Sequence, residues 1–156
     1  MPKDSYRHRI NARACIVRDD KILLIAYDDE SGFHYNLPGG GVEAGENLYE
    51  AIERECLEEA NAKVVVGDLL LVMEFVPELD DGTYGNDHRD LGLIFRCELV
   101  DGTEPELPEN PDPNQVAVDW ISKEDFPNVM LYPRLNQLIL DRLTAQDLDT
   151  AFSRDV

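Results

Sequence analysis

The sequence predicts an α/β fold, a mixed β-sheet with helices packed on its faces. Three observations lead there. Strand-like apolar runs recur along the chain, only two segments read as substantial helices, and the order of these elements suits a mixed sheet. With 156 residues, the chain is long enough for one domain with a real core and too short for two.

The elements follow in order. In "INARACIVRDDKILLIAYDD", the runs Ile10–Val17 and Lys21–Tyr27 flank the polar turn "RDD" and predict a hairpin. "FHYNLPGG" is a short extended stretch in which Pro38 keeps Leu37 out of helical space. A helix is predicted from about Asn47 to Ala60. "KVVVGDLLLVMEFV" is β-branched and interrupted by Gly67, which predicts a bent or bulged strand. "PELDDGTYGNDH" is a long acidic loop, "LGLIFRCELV" a strand, and "DGTEPELPENPDPNQ" a second irregular loop. "VAVDWI" is a further strand, and Pro133 leads into a closing helix carrying Leu135, Leu138, Ile139 and Leu143. The last residues, from 146 to 156, are expected to fray. Two loops of this length are more often functional than idle.

Composition excludes several classes. Against 33 acidic residues stand 14 basic ones, a formal charge of −19. That repulsion argues against a nucleic acid backbone or an anionic membrane as partner. It fits cation binding, or a host with a salty interior, where the predominance of Arg over Lys leans mildly the same way. No apolar run is long enough for a bilayer, and the first residues lack the apolar core of a secretory signal, so the expected location is cytoplasmic. Cys15, Cys56 and Cys97 are far apart in apolar stretches and read as buried, reduced thiols.

The helix near residue 50 carries the chemistry. Its apolar stripe starts at Leu48, Ala51 and Ile52, and at about 100° per residue the stripe continues onto Glu55 and Glu59, with Glu58 beside them. Glu46, Glu50 and Glu53 need no such explanation, because early acids complement a helix N-terminus and the others lie outward. Glu55, Glu58 and Glu59, spaced i, i+3, i+4, lie along one side. Carboxylates crowded together and partly desolvated either raise their pKa values or hold a cation. Gly39, Gly40 and Gly41 just before the helix let main chain approach a ligand closely. Hard oxygen ligands with room left for others suit Mg²⁺, which commonly takes substrate phosphates.

Read from Gly40, the chain places Glu46 and then Arg54-Glu55-Cys56-Leu57-Glu58-Glu59-Ala60-Asn61-Ala62. This resembles the signature box of the Nudix hydrolases, which cleave nucleoside diphosphates linked to another group. Gly40, Glu46, Arg54, Glu55, Glu58 and Glu59 match its fixed letters. Cys56, Asn61 and Ala62 depart from it, and none of the three removes a charge; Asn61 tolerates the left-handed helix cap better than most residues. The resemblance implies an α/β/α sandwich around a mixed sheet. It implies one to three Mg²⁺ ions, replaceable by Mn²⁺, with Glu58 and Glu59 as principal ligands and the Gly40 carbonyl as another. Glu55 is a further ligand or the general base, Arg54 an ion-pair partner orienting a carboxylate, and Glu46 an anchor behind them.

Relatives also take the base from a late loop. There Asn114 and Gln115 cannot serve, whereas Glu104, Glu106, Glu109 or Asp112 could. For substrate contacts the candidates are Arg13, facing either the sheet cleft or solvent, Tyr35 before the glycines, which reads otherwise as core, His88 and Arg89 near a strand start, which read otherwise as a surface pair, and Tyr84 in the first loop. Trp120 reads as packing. Pro77, fifteen residues after Ala62, resembles the marker of ADP-ribose pyrophosphatases, and no tyrosine follows where dinucleoside polyphosphate hydrolases often carry one. The expected substrate is therefore a small nucleoside diphosphate derivative, ADP-ribose or a related nucleotide sugar. A nucleoside triphosphate pyrophosphohydrolase, one acting on oxidised nucleotides included, is the alternative. Rival readings are a non-hydrolytic nucleotide sensor and an isoprenoid diphosphate isomerase needing a catalytic cysteine. Relatives are often homodimers, and no residue here fixes an interface.

Overall fold

β1 (Arg9–Arg18) and β2 (Lys21–Asp29) form the expected hairpin, but only at its tip, where Val17 faces Ile22 and Arg18 faces Lys21. Asp19 and Asp20 take φ of 51° and 58°, the left-handed pair that a two-residue turn needs to match strand twist. Beyond that point β1 leaves β2, and the computed structural model, which describes residues 8–77, 88–145 and 152–153, shows where it goes.

β1 runs parallel to β6 (Asp90–Leu99) from Arg9 to Ile16, and its other edge takes the three-residue strand β4 (Gly39–Gly41). β5 (Val64–Phe75) lies antiparallel on β6. β2 pairs with β3 (Gly32–Asn36) and with β7 (Gln115–Ser122), both antiparallel. Among the described residues this makes one mixed sheet of seven strands, ordered β3-β2-β1-β6-β5, with β4 on β1 and β7 on β2. The register of β5 shifts on both sides of Leu69. A Cβ on Gly67 would stand 2.9 Å from the Arg96 carbonyl oxygen, so the predicted interruption is a close backbone approach.

The helices α1 (Leu48–Ala60) and α2 (Asn136–Thr144) cover opposite faces. Strand alternation sends Ala12, Ala14, Ile16, Leu23 and Ile25 towards α1, where they meet Ala51, Ile52, Cys56 and Ala60. Cys15, Ile22, Leu24 and Ile94 point the other way, onto Ile139 and Leu143. The α/β/α arrangement is thus as expected. α1 begins within a residue of its predicted start. Asn47 Oδ1 accepts the Glu50 N–H and Glu50 Oε2 accepts the Asn47 N–H, a reciprocal cap that explains Glu50. Asn61 ends the helix at φ 49°.

Two expectations need correction. Leu138 is 46% exposed, because the inward stripe of the closing helix runs through Leu135, Ile139 and Leu143, and Leu138 sits to its outer side. The tail is not wholly loose: the Phe152 ring lies 5.2 Å from that of Phe95 and 6.1 Å from that of Tyr49. The rest of the tail, and Tyr84 with most of its loop, fall outside the described residues. All three cysteines are buried, unpaired thiols. Among the described residues no helix is long and apolar enough to cross a membrane.

Candidate active site

β4 is what brings main chain to the carboxylates. Gly39 has φ 143°, and a Cβ there would lie 2.6 Å from Arg13 Cα. At Gly40 a Cβ would stand 2.8 Å from Glu55 Oε1. Only glycine leaves space for the Glu55 carboxylate to lie against this strand.

The three acids of α1 differ in setting. Glu59 is 4% exposed; its Oε1 accepts the Gly39 N–H at 2.8 Å and its Oε2 accepts the Tyr27 O–H at 2.8 Å. Its main chain is held too, because Gln115 Nε2 donates to the Glu59 carbonyl at 2.7 Å. Glu55 is half-buried and accepts from Arg54 Nη1 at 2.8 Å. Glu58 is outermost, with Arg54 Nη1 at 3.3 Å. Arg54 also donates through Nε and Nη2 to the two oxygens of Glu46, at 2.5 and 3.1 Å, and through Nη2 to the Gly41 carbonyl at 3.1 Å. One guanidinium therefore ties the glycine strand, the turn before α1 and two acids of its inner side together.

Burial decides the electrostatics. It pushes the Glu59 carboxyl up to about 7, against the Gly39 and Tyr27 hydrogen bonds and the charge of Arg13, which pull it down. Glu55 is also raised by burial, with Arg54 opposing. Glu46 is lowered, chiefly by its hydrogen bond from Arg54. Two carboxyls raised by burial on one helix face suit a cation or proton transfer.

The expected substrate residues separate. Arg13 turns onto the segment before the glycine strand: its Nη1 donates to the Leu37 carbonyl at 3.1 Å, and its charge acts on Glu59. Tyr35 takes the core position, its other reading. Strand alternation turns it to the α2 face, where its O–H donates to Asp119 Oδ2 at 2.9 Å and its ring packs with that face's core. His88 is exposed, and the Arg89 carbonyl accepts the Arg9 N–H, which places both at the sheet end nearest Gly41. Trp120 packs under Arg18, whose guanidinium carbon lies 4.7 Å from the ring centre.

The loop acids separate as well. Glu104 is paired in a two-point ion pair with Arg18 at 3.1 and 3.2 Å. Glu106 is held to the end of α1, its N–H on the Ala60 carbonyl and its Oε1 near Asn61 Nδ2. Asp112 is different: its charge bears on both Glu55 and Tyr27, and Gln115 Oε1 accepts its N–H at 3.2 Å. Gln115, which has no proton-accepting group, and Tyr27 are site residues that the sequence does not mark. Neither carries a signal in its neighbours, since both reach Glu59 across the sheet.

Among the described residues, no three His, Cys, Asp or Glu side chains converge on one point; Arg54 engages Glu55 and Glu58, and Tyr27 engages Glu59. The donor chemistry nevertheless fits a hard divalent cation: three carboxylates on one helix, beside a glycine strand whose missing Cβ leaves room at Glu55.

The chain matches the NUDIX domain over residues 7–141. It is 29% identical over 119 residues to a MutT-like protein of Streptomyces ambofaciens, covering 76% of this chain and 66% of that protein. It is 30% identical over 132 residues to the nucleoside triphosphatase NudI of Escherichia coli O139:H28, covering 77% of this chain and 86% of that protein. Its fold matches the solved structure of a NUDIX hydrolase from Nitrosomonas europaea with a TM-score of 0.72 at 22% identity, over 88% of each chain. The domain match spans the box helix, the glycine strand and nearly all of the sheet that carries them, and this chain belongs to the Nudix hydrolase family.

Proposed function

We propose that the chain is a divalent-cation-dependent pyrophosphohydrolase acting on a nucleoside diphosphate linked to another group. The observation that carries this reading is the docking of Glu55 and Glu59 against a glycine strand with no room for side chains. Glu58 and Glu59, with Glu55 and the Gly40 carbonyl, would hold Mg²⁺, which when bound neutralises phosphate charge and acidifies an attacking water. Arg54 orients Glu55 and Glu58. Glu55, raised by burial, suits either ligation or acceptance of the water's proton, and Asp112 is the loop acid placed to share that task. Arg13, whose charge acts on Glu59, is the candidate for meeting a substrate phosphate.

For the substrate, the likeness to NudI along most of both chains favours a nucleoside triphosphate. Pro77 keeps a nucleotide sugar such as ADP-ribose as the second reading. A panel of both kinds with Mg²⁺ or Mn²⁺ separates them. Triphosphates should yield a nucleoside monophosphate and pyrophosphate, ADP-ribose should yield AMP and ribose 5-phosphate, and binding without products would favour a sensor. The isomerase reading lacks a usable thiol, since Cys97 is pushed up to about 12 by burial and Cys56 is also raised.

Two outcomes follow from this geometry. Gly40→Ala is expected to lower turnover ~10-fold or more with little change in melting temperature, because its Cβ displaces Glu55 rather than straining the backbone. Kinetics beside thermal denaturation check it. The second concerns pH. Without cation, folded Glu59 titrates near 7 against 4.5 for the ordinary group, so the folded chain binds the extra proton between those values. The associated stability is full below about pH 4.5 and lost as pH rises through 7, by about 1–3 kcal/mol, as urea denaturation in chelator would show. Cation uptake has the opposite sign, strengthening up to about pH 7 as the proton leaves.

A further inference from the structure

The carboxylate of Glu59 has two donors among the described residues, one from main chain and one from a side chain 32 positions away. The Gly39 N–H belongs to the sheet and is fixed with it. Tyr27 is fixed in a different way. It lies opposite His34 in the register of β2 and β3, the two rings stack at 5.8 Å, and His34 stacks in turn on Tyr132 at 4.5 Å. His34 is 5% exposed and bonds its own strand through Nδ1 and the Gly32 carbonyl at 3.0 Å. The three rings form a packed row across β2, β3 and the segment beside Tyr35, and this row aims one hydroxyl at Glu59 Oε2.

The choice of donor has a chemical consequence. Arg54 meets Glu55 with a full positive charge, which competes with any cation for that carboxylate. A phenol is neutral: it restrains rotation of Glu59 and leaves the negative charge available. An ionised carboxylate offers about four lone-pair sites, of which Gly39 and Tyr27 use one each. We propose that Tyr27 is a positioning residue that presets Glu59 for a divalent cation, with the His34–Tyr132 stack as its support. The inference rests on the metal reading given under Proposed function.

Tyr27→Phe tests it, because the ring stays and the hydroxyl goes. Mn²⁺ affinity, read by calorimetry and by electron paramagnetic resonance, should weaken ~10–100-fold, as for other partners of metal ligands. The melting temperature should stay within about 3 °C of the parent's. The Mg²⁺ concentration for half-maximal turnover should rise by a similar factor, while kcat at saturating Mg²⁺ returns towards the parent value. On a Glu59→Gln background, Tyr27→Phe should change Mn²⁺ affinity by less than about twofold, since the group it acts through is gone. Unaltered Mn²⁺ affinity in Tyr27→Phe, or an equal loss on both backgrounds, would overturn the proposal while leaving the metal reading in place. A parent chain that takes up no Mn²⁺ would overturn both.

Discussion

Glu58→Gln is expected to lower turnover by at least ~100-fold while the melting curve stays where it was. The structure separates these two effects at this position better than at the other acids. Glu58 has a side chain 58% exposed and, among the described residues, one ion-pair partner, Arg54 at 3.3 Å. Gln keeps its shape and leaves no buried group without a partner, so the fold has no reason to respond. What disappears is one formal charge from the proposed cation site. Steady-state kinetics at saturating Mg²⁺, with a thermal melt of the same preparation, make the measurement. An unchanged kcat would remove Glu58 from the metal set.

Arg54→Ala should damage both activity and stability. The guanidinium holds Glu46, Glu55, Glu58 and the Gly41 carbonyl, and the side chains of Glu46 and Glu55 are only 17% and 16% exposed. Its removal strands acids of like charge in a poorly hydrated place. A fall of ~10²–10³ in kcat/KM is expected, with a melting temperature lower by about 5–10 °C. The sign of the pH effect also follows. Arg54 pulls Glu55 down against burial, so its loss lets Glu55 rise further and moves the acidic limb of the rate profile to higher pH. Arg54→Lys should recover little, because one ammonium cannot reach Glu46, Glu55 and a carbonyl at once. Full recovery by lysine would show that charge alone matters there.

Much of this was readable in advance, and the reason is local. The i, i+3, i+4 spacing of Glu55, Glu58 and Glu59 and the left-handed end at Asn61 depend on neighbours within one turn of helix. So did the bend at Gly67, where a missing side chain marks a close approach. Long-range partners were not readable. Tyr27 and Gln115 reach Glu59 from strands 32 and 56 positions away, and periodicity carries no record of such meetings. Tyr35 shows the same limit: its nearness to the glycines is plain in the sequence, but which face it packs on depends on the register of β3 against β2. The hairpin was half right, since β1 abandons β2 for a parallel partner that comes some eighty residues later.

The second acidic loop is hung from several fixed points. Glu104 is on Arg18, Glu106 on the last turn of α1, Asp112 on Gln115, and the Asn114 carbonyl on the Asp28 N–H. It is accordingly a wall and not a swinging door. The stretch from Leu107 to Pro111 spans the interval between two of these pegs. That interval is therefore the part of the loop that can be rewritten with the pegs themselves left untouched.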